Sequence, residues 1–494
     1  MSIRFAKNQI IALTFFCFLI ILPISISARR LWEPEDAMPI FSTADVIGLE
    51  FSENFFYIAV SKGIIRFPRL ANSIDIGGWE CFAIAGELHS MYLRNDSVYI
   101  WTDLGGLART EMDFFDIPFK SVDEFPRFPP NIGGCVQSGE RYMMPPGFIW
   151  GSGDTIYDYH LNSYHITDCA EDGHGTMFLA TNGAGIFSVE HRIGIAEPFC
   201  FGPCCNDIHS IIAIGDTLIF GGCGDIVHCA LSIYDRLFDD FEWFGGEYSA
   251  MLPSSGPVKD LEFHDNLILG TTPNGLILFD IIDKTYLRPY GIGSQLINTP
   301  RASAIFNDSI YIAADNGIYT ADIQSRAFKK ISAPELTRFT DIDTANGRLY
   351  AIGDRGVWIV HDSTLERFYT PDGYLTNFVS CVTAGPNGET VFGSRAGILI
   401  ITQNGNRTTL PSSIWLDGYT PNDIIAMKNI LWIATNKGLF LYNRKINKST
   451  LIGNDYYLPE LNIYRMLLDQ DYIWLITSRG LYRFFWNEPD RIEY

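Results

Sequence analysis

Positive charge is scarce in this sequence of 494 residues. Lys and Arg number 36 against 57 Asp and Glu, so the formal net charge at pH 7 is −21. Phosphate contacts to nucleic acids require clustered Lys and Arg, and so does binding to an anionic membrane surface. The composition therefore argues against a nucleic-acid-binding protein and against a polybasic peripheral membrane protein.

Long hydrophobic runs are also missing, with one exception at the N-terminus. Arg4 and Lys7 precede an apolar run over residues 10–22, and small residues follow it up to Ala28. This order is typical of a cleaved signal peptide, and the run is short for a membrane span, which needs about 20 apolar residues. We predict a signal peptide at 1–28 and an exported chain, periplasmic or at the cell surface of a bacterium. An uncleaved anchor stays open as the alternative.

Motifs for catalysis and for cofactors are absent as well. The sequence has no G-x-S-x-G elbow, no H-E-x-x-H, no phosphate-binding glycine loop and no C-x-x-C-H for haem. We therefore expect no cofactor, and the sequence leaves open whether the protein is an enzyme, with a non-catalytic role favoured.

Nine cysteines remain once the predicted signal peptide is set aside, and six of them are concentrated in one region. An exported location favours disulfides, whereas the paired C-x₂-C units of a zinc ribbon are missing. We predict disulfides and no metal site, with the pairing undetermined. The candidates are Cys169, Cys200, Cys204, Cys205, Cys223 and Cys229.

The chain is built from an internal repeat: an apolar strand, a short polar turn ending in glycine, then a second apolar strand. The residue after each glycine is aliphatic, which indicates strands buried on both faces. The later copies follow one another at intervals of about 41 residues, and such a period with four short strands is typical of a β-propeller blade. The predicted turn glycines are Gly63, Gly106, Gly185, Gly275, Gly317, Gly356, Gly397, Gly438 and Gly480.

Nine clear copies and two degenerate ones, around 148–157 and 218–224, make about eleven four-stranded blades. Propellers typically close with four to eight blades, so we predict an all-β fold of two packed propellers. The period is interrupted between 237 and 257. This divides the mature chain into an irregular, Cys-rich half at 29–250 and a regular half at 251–494. One oversized ring, or a different split, stays open.

The repeat around Trp474, Ile-Trp-Leu-Ile-Thr-x-x-Gly-Leu-Tyr-Arg-Phe, and its relative around Trp432 resemble the two-component-regulator propeller repeat. The resemblance implies a periplasmic sensing head, which in that family often responds to glycans. The sequence given ends at Tyr494, shortly after Gly480, so we expect no kinase in this chain. The repeat type is also similar to that of an exported propeller associated with bacterial surface-protein secretion.

A ligand of a propeller would bind where the innermost strands converge on the central channel. The start of an innermost strand lies about fifteen places before a turn glycine, or one place further back. We predict that the residue at this position binds the ligand. The alternative is that polar residues at this position only provide hydrogen-bond partners for strand ends and bound water. The predicted residues are Asp260, Arg301, Asp341, Asn422 and Arg465.

Three functions follow as hypotheses. The first is a non-catalytic exported propeller that binds a glycan, peptide or protein partner at the cell envelope. The second is a carbohydrate-active hydrolase or lyase, which would need a channel cluster of carboxylates with perturbed pKa values. The third is a structural component of an envelope or secretion assembly, which should expose a broad apolar patch.

Overall fold

Antiparallel sheets make up nearly all of the computed structural model. It describes residues 36–487 apart from 111–119, 122–141, 223–229, 245–255, 288–296 and shorter gaps of one to five residues. The predicted signal peptide, Cys223 and Cys229 lie outside the described residues. Across the described part of the chain, no helix is both long enough and apolar enough to span a membrane.

The repeat forms its hairpin through a hydroxyl and a glycine. The Thr477 hydroxyl accepts a hydrogen bond from the Arg479 amide and donates one to the Gly480 carbonyl, at 3.1 and 2.8 Å. Gly480 has a φ of 115°, which side chains disfavour. The same hydroxyl-to-carbonyl contact recurs in five more turns, made by Thr102, Thr181, Thr272, Ser394 and Thr435.

Seven of the nine predicted turn glycines have a positive φ, and the two exceptions have different causes. In the second repeat the residue with positive φ is Gly105, one place before the predicted Gly106. Gly63 is required for a different reason: the backbone lies so close to the neighbouring strand that a Cβ there would lie 2.2 Å from the Phe82 carbonyl oxygen.

The N-terminal part of the chain supplies three sheets and one strand, Ala37–Ile40, that belongs to the last sheet of the chain. In the third sheet, residues 163–165 of one long strand pair with 155–157 and residues 166–171 pair with 177–181, with a β-bulge at Ile166/Asp168 in the second pairing. The strands are β1 Ala37–Ile40; β2 Val46–Phe51, β3 Phe55–Val60, β4 Gly63–Leu70, β5 Ser73–Ile74 and β6 Glu80–Ala83; β7 Leu88–Arg94, β8 Ser97–Thr102, β9 Gly105–Thr110 and β10 Lys120–Ser121; β11 Phe148–Trp150, β12 Thr155–Asp158, β13 Ser163–Glu171, β14 Thr176–Thr181, β15 Ile186–Glu190 and β16 Ala196–Phe199.

The rest of the chain supplies seven sheets and a helix, α1, at Ser412–Trp415. The strands are β17 Ser210–Ile214, β18 Thr217–Gly221, β19 Leu231–Asp235 and β20 Asp240–Phe244; β21 Asp260–His264, β22 Leu267–Thr272, β23 Gly275–Asp280 and β24 Thr285–Leu287; β25 Pro300–Phe306, β26 Ser309–Ala314, β27 Gly317–Asp322 and β28 Lys329–Ile331; β29 Phe339–Ala345, β30 Arg348–Gly353, β31 Gly356–Val360 and β32 Leu365–Phe368; β33 Val379–Ala384, β34 Thr390–Ser394, β35 Gly397–Ile401 and β36 Arg407–Pro411; β37 Pro421–Ala426, β38 Ile430–Thr435, β39 Gly438–Asn443 and β40 Lys448–Ile452; β41 Ile463–Asp469, β42 Tyr472–Thr477 and β43 Gly480–Phe485.

These seven sheets close into a ring. The first strands of successive sheets, β17, β21, β25, β29, β33, β37 and β41, contact each other in chain order, and β41 contacts β17. In the N-terminal part, β2 contacts β7 on one side and β13 on the other. The chain is therefore a β-propeller protein, as its repeat predicts.

The N-terminus completes the last sheet of the ring. Strand β1 pairs antiparallel with β43, with Ala37 opposite Phe484 and Ile40 opposite Leu481, so that the strand order is β1-β43-β42-β41. Phe41, directly after β1, is only 1% exposed. The first described strand is thus fixed to the last one, from the opposite end of the sequence.

The large aromatic residues of the repeat are core residues. Trp432 and Trp474 are almost fully buried, and the Trp474 ring lies 5.7 Å from the rings of Phe220 and Tyr234 in the first sheet of the ring. One apolar cluster runs from the N-terminal sheets, through Phe178, into the ring. The two parts of the chain therefore share a hydrophobic core.

The described residues form ten sheets, while the predicted number of about eleven blades stays a prediction. The division into 29–250 and 251–494 also stays a prediction. The contacts of β17 with β21 and β41 favour an earlier division, one of the different splits that the sequence leaves open, with 210–244 joined to the C-terminal sheets.

Candidate functional site

The pairing register between the first and second strands of each sheet identifies one equivalent residue in each inner strand of the ring. Five of the seven strands carry a β-bulge just before this position, for example between Ile463 and Arg465. We call these seven residues the channel set. They are Ser210, Asp260, Ala302, Asp341, Cys381, Asp423 and Arg465.

Arg465 joins sheets that are not neighbours in the ring. Its guanidinium lies 3.0 Å (Nη1) from Asp260 Oδ1 and 3.8 Å (Nη2) from Asp341 Oδ1. These three residues lie on β41, β21 and β29, which are separated by other inner strands. Such contacts require side chains that reach across the centre of the ring. Three of the five predicted ligand residues therefore come together in the central channel.

Two channel aspartates also hold neighbouring sheets together. The Asp260 carboxylate accepts a hydrogen bond from the Ser303 amide of β25 at 2.7 Å, and Asp423 accepts one from the Met466 amide of β41 at 2.8 Å. In the N-terminal part, Asp168 accepts the Leu49 amide in the same way at 2.8 Å. Carboxylates at this position therefore satisfy amides of the adjacent inner strand as well as lining the channel.

The other two predicted residues make different contacts. Arg301 forms a bidentate pair with Asp315, with Nε and Nη2 at 3.0 and 3.2 Å from its carboxylate oxygens. The Asn422 amide donates to Asn462 Oδ1 and to the Ile463 carbonyl at 3.0 and 2.8 Å. Each precedes a channel residue by one place, at a bulge that re-aims side chains.

The cluster contains more carboxylates than the sequence predicts. Asp423 is next to the predicted Asn422, while Glu262 and Asp343 lie two places after Asp260 and Asp341. Residues two apart on a strand share a face, so the spacing from Asp260 and Asp341 is the sequence feature that predicts Glu262 and Asp343 as channel residues. Arg465 interacts electrostatically with four of the aspartates, and the Glu262 carboxyl interacts with Asp260, Asp341, Asp343 and Arg465.

Burial and mutual repulsion raise the carboxyl pKa values in the channel. Burial raises the pKa of Asp341 to about 6 although Arg465 opposes it, and burial together with Asp341 raises the pKa of Asp343 to about 7. The pKa of Glu262 is raised well above its ordinary value by burial and by the charges of Asp260 and Asp343. Asp343 is nevertheless solvent-exposed, so the channel is open to water.

Five carboxyl groups thus face one guanidinium, which leaves the channel negative even when some of them are protonated. Within the described ranges, no group of three or more His, Cys, Asp or Glu side chains is arranged to hold a metal ion. The channel offers hydrogen-bond acceptors and groups that exchange protons near neutral pH.

We predict that the raised pKa values make stability fall as pH rises. A carboxyl whose folded-state pKa is above its unfolded value binds more protons when folded, so its contribution is lost between about pH 4 and pH 7. Urea unfolding at pH 5 and pH 8 measures the difference, which Asp343→Asn should reduce. The control is Asp265→Asn, at an exposed carboxylate. An unchanged difference in Asp343→Asn contradicts the prediction.

A smaller acidic pair lies in the N-terminal part. Burial and the neighbouring Asp168 raise the pKa of Glu50 to about 7. Glu50 is two places after Gly48, which faces the Asp168 carboxylate across the contact between β2 and β13. Carboxylates at inner strands are thus a feature of both parts of the chain.

No protein-family model matches the chain, and no curated protein sequence does. Solved structures are similar to it at low identity. PorZ, an essential bacterial surface component of the type-IX secretion system of Porphyromonas gingivalis, has 16% identity and a TM-score of 0.49, over 89% of this chain and 68% of PorZ.

Two further solved structures are also similar to the chain. Virginiamycin B lyase from Staphylococcus aureus has 12% identity and a TM-score of 0.44, over 56% of this chain and 94% of the lyase. The extracellular domain of the two-component-system protein BT4673 from B. thetaiotaomicron has 14% identity and a TM-score of 0.37, over 88% and 69%.

Proposed function

We propose that this chain is an exported, non-catalytic propeller that binds a basic group of a peptide or protein partner in the central channel of its seven-sheet ring. The observation that carries the proposal is the convergence of five carboxyl groups on the single guanidinium of Arg465 in a channel open to water. Export rests on the predicted signal peptide at 1–28.

Within the described part of the chain, the carboxyl groups of Glu262 and Asp343 have no ion pair, and their raised pKa values mean that their negative charge is disfavoured until a cation binds. Among the described residues, the Glu262 carboxylate has no hydrogen bond or ion pair. The only hydrogen bond that Asp343 accepts there comes from the following amide, of Thr344, at 2.6 Å. Asp260, Asp341 and Asp423 are already bound to Arg465 or to backbone amides. A ligand at this site must therefore supply hydrogen-bond donors and positive charge to these two side chains.

An ammonium or guanidinium group meets both requirements, because charge-assisted hydrogen bonds to carboxylates are about twice as strong as neutral ones. A neutral glycan would supply donors but no charge. The nearby cations do not neutralise the site, since the Lys259 ammonium lies 3.2 Å from His209 Nε2 and Arg301 is paired with Asp315. Ligand contacts of Arg301 and Asn422 stay a prediction.

A binding experiment with peptides tests the proposal. We expect a labelled tetra-arginine peptide to bind in fluorescence anisotropy, and neither tetra-glutamate nor maltotetraose to compete. Glu262→Gln combined with Asp343→Asn should weaken binding by about tenfold or more, because it removes both unsatisfied carboxylates. The matched control is Asp265→Asn combined with Asp283→Asn, which changes the net charge equally at sites outside the channel.

Equal weakening in both double variants would mean that tetra-arginine binds the acidic surface in general, and it would overturn the channel site. Competition by maltotetraose that disappears in Glu262→Gln would replace the basic partner with a glycan.

A hydrolase or lyase remains a second candidate because of one observation. Carboxyl groups with pKa values of about 6 and 7, at Asp341 and Asp343, provide both a protonated and an ionised carboxyl near neutral pH, as acid–base catalysis of glycoside cleavage requires. Release of reducing sugar from a polysaccharide panel, lost in Asp343→Asn, would favour this candidate over binding.

We also propose that the chain forms disulfides, because an exported chain meets an oxidising environment. The candidates are Cys169, Cys200, Cys204, Cys205, Cys223 and Cys229. Cys81 and Cys381, by contrast, are free and buried, and burial raises the pKa of both thiols.

A further inference from the structure

A cavity of about 240 Å³ lies in the N-terminal part, away from the ring channel. It opens between the sheet that contains β2 and β4 and the sheet that contains β14 to β16. Binding sites for drug-sized ligands are about 300–1,000 Å³, so this cavity matches a smaller molecule or a single side chain.

Aromatic rings form the apolar wall of the cavity. Phe51, Phe178 and Phe199 lie against one another, with ring centroids 5.6 Å apart for Phe51 and Phe178 and 5.9 Å apart for Phe178 and Phe199. Phe178 is buried, whereas Phe51 and Phe199 are half-buried and keep part of their ring surface accessible. A wall of this kind favours a flat apolar group, because aromatic pairs gain energy beyond the buried area.

Hydrogen-bond donors form the polar side. The Arg69 guanidinium lies 5.1 Å from the Phe51 ring centroid, donates to the Ser52 carbonyl and donates to the Asp172 carbonyl at 2.5 Å. These contacts fix a positive charge beside the aromatic wall and leave further N–H groups available. The imidazole of His174 also lines the cavity and has no hydrogen-bond partner among the described residues.

The acidic residue of the lining uses one carboxylate oxygen within its own turn. The Asp172 carboxylate accepts the backbone amides of His174 and Thr176 at 2.7 and 3.0 Å through Oδ1, which closes the turn before β14. Thr176 also lines the cavity and carries a hydroxyl, a further potential donor. The polar side therefore combines one fixed cation, a histidine and a hydroxyl next to an apolar wall.

We propose that this cavity binds a small aromatic carboxylate, with the ring against Phe51 and Phe199 and the carboxylate bound by Arg69, His174 and Thr176. A free aromatic acid and the C-terminal aromatic residue of a peptide present the same chemistry. The site is independent of the ring channel and of the basic partner proposed for it.

Isothermal titration calorimetry with phenylacetate tests the site. We expect phenylacetate to bind at least about tenfold more tightly than 2-phenylethanol, which lacks the charge, and than acetate, which lacks the ring. His174→Ala and Thr176→Val should each weaken phenylacetate binding several-fold, and Ser188→Phe, which fills the cavity from β15, should abolish it. His89→Ala, an exposed histidine on β7, is the control and should bind as the parent protein does.

A second comparison separates the two sources of the ligand. A peptide ending in Phe-COO⁻ that binds more tightly than phenylacetate, and loses binding on amidation, identifies a peptide C-terminus, whereas equal or weaker binding identifies a free acid. Equal affinity for phenylacetate and 2-phenylethanol, no binding of phenylacetate, or unchanged binding in both His174→Ala and Ser188→Phe would overturn the proposal. Circular dichroism and thermal melting confirm that each variant is folded.

Discussion

Replacing Arg465 with Gln should destabilise the ring by about 2–3 kcal/mol at neutral pH, which corresponds to roughly 3–6 °C in the melting temperature. Loss of one partner of a buried ion pair typically costs about 3–5 kcal/mol, and the lower value applies because the Arg465 side chain is 39% exposed. Without the guanidinium, Asp260 and Asp341 repel each other. The deficit should therefore shrink at pH 5, where Asp341, with a pKa raised to about 6, takes up a proton.

Arg301→Gln is the matched control for this variant. Arg301 lies in the same ring, is 41% exposed and pairs with one carboxylate, Asp315, which retains Arg338 at 3.4 Å when Arg301 is replaced. Exposed pairs of this kind contribute up to about 1 kcal/mol. Equal destabilisation by both substitutions, or an Arg465→Gln deficit that is the same at pH 5 and pH 8, would contradict the role given to the channel cluster.

Phe41→Ala should have the larger effect, about 3–5 kcal/mol or roughly 5–10 °C in the melting temperature. The Phe41 ring is 1% exposed and packs on Gly63, where an added Cβ would lie 2.4 Å from the ring. The side chain thus fixes the end of β1 against the first N-terminal sheet. Its removal leaves a cavity where the ring closes and weakens the pairing of β1 with β43.

Phe238→Ala makes the same chemical change at a side chain that is 78% exposed, and it should shift the melting temperature by less than about 1 °C. Differential scanning calorimetry of both variants provides the measurement. Amide hydrogen exchange adds a local readout, in which β43 should lose protection in Phe41→Ala and keep it in Phe238→Ala. Loss of stability with unchanged exchange at β43 would contradict the coupling to ring closure.

The repeat was predictable because each copy carries its own signal. The hydroxyl-glycine turn of Thr477 and Gly480 depends on residues within one hairpin, so its pattern in the sequence is its pattern in space. Counting back about fifteen places from the turn glycine leads to Asp260, Asp341 and Arg465, because each of these residues keeps a constant spacing from the turn of its own repeat.

The channel cluster was only partly predictable because a bulge adds one residue that periodicity does not reveal. Counting back one place further from the turn glycine leads to Arg301 and Asn422. These two residues directly precede the channel residues Ala302 and Asp423. A shift of one place turns a side chain to a different face of the strand. The closure of the last sheet by β1 had no local signal at all, since it depends on which distant strand completes β43.

The pairing of β1 with β43 sets an order of events in biosynthesis. A ribosome makes residues 37–40 long before residues 480–485, so the final sheet cannot acquire its outer strand until β43 has been synthesised. Until then β1 is an unpaired edge segment and the ring is open. The ring can therefore close only after β43 has been synthesised, and a chain delivered across a membrane while still being made would have β1 on the far side before its propeller could close.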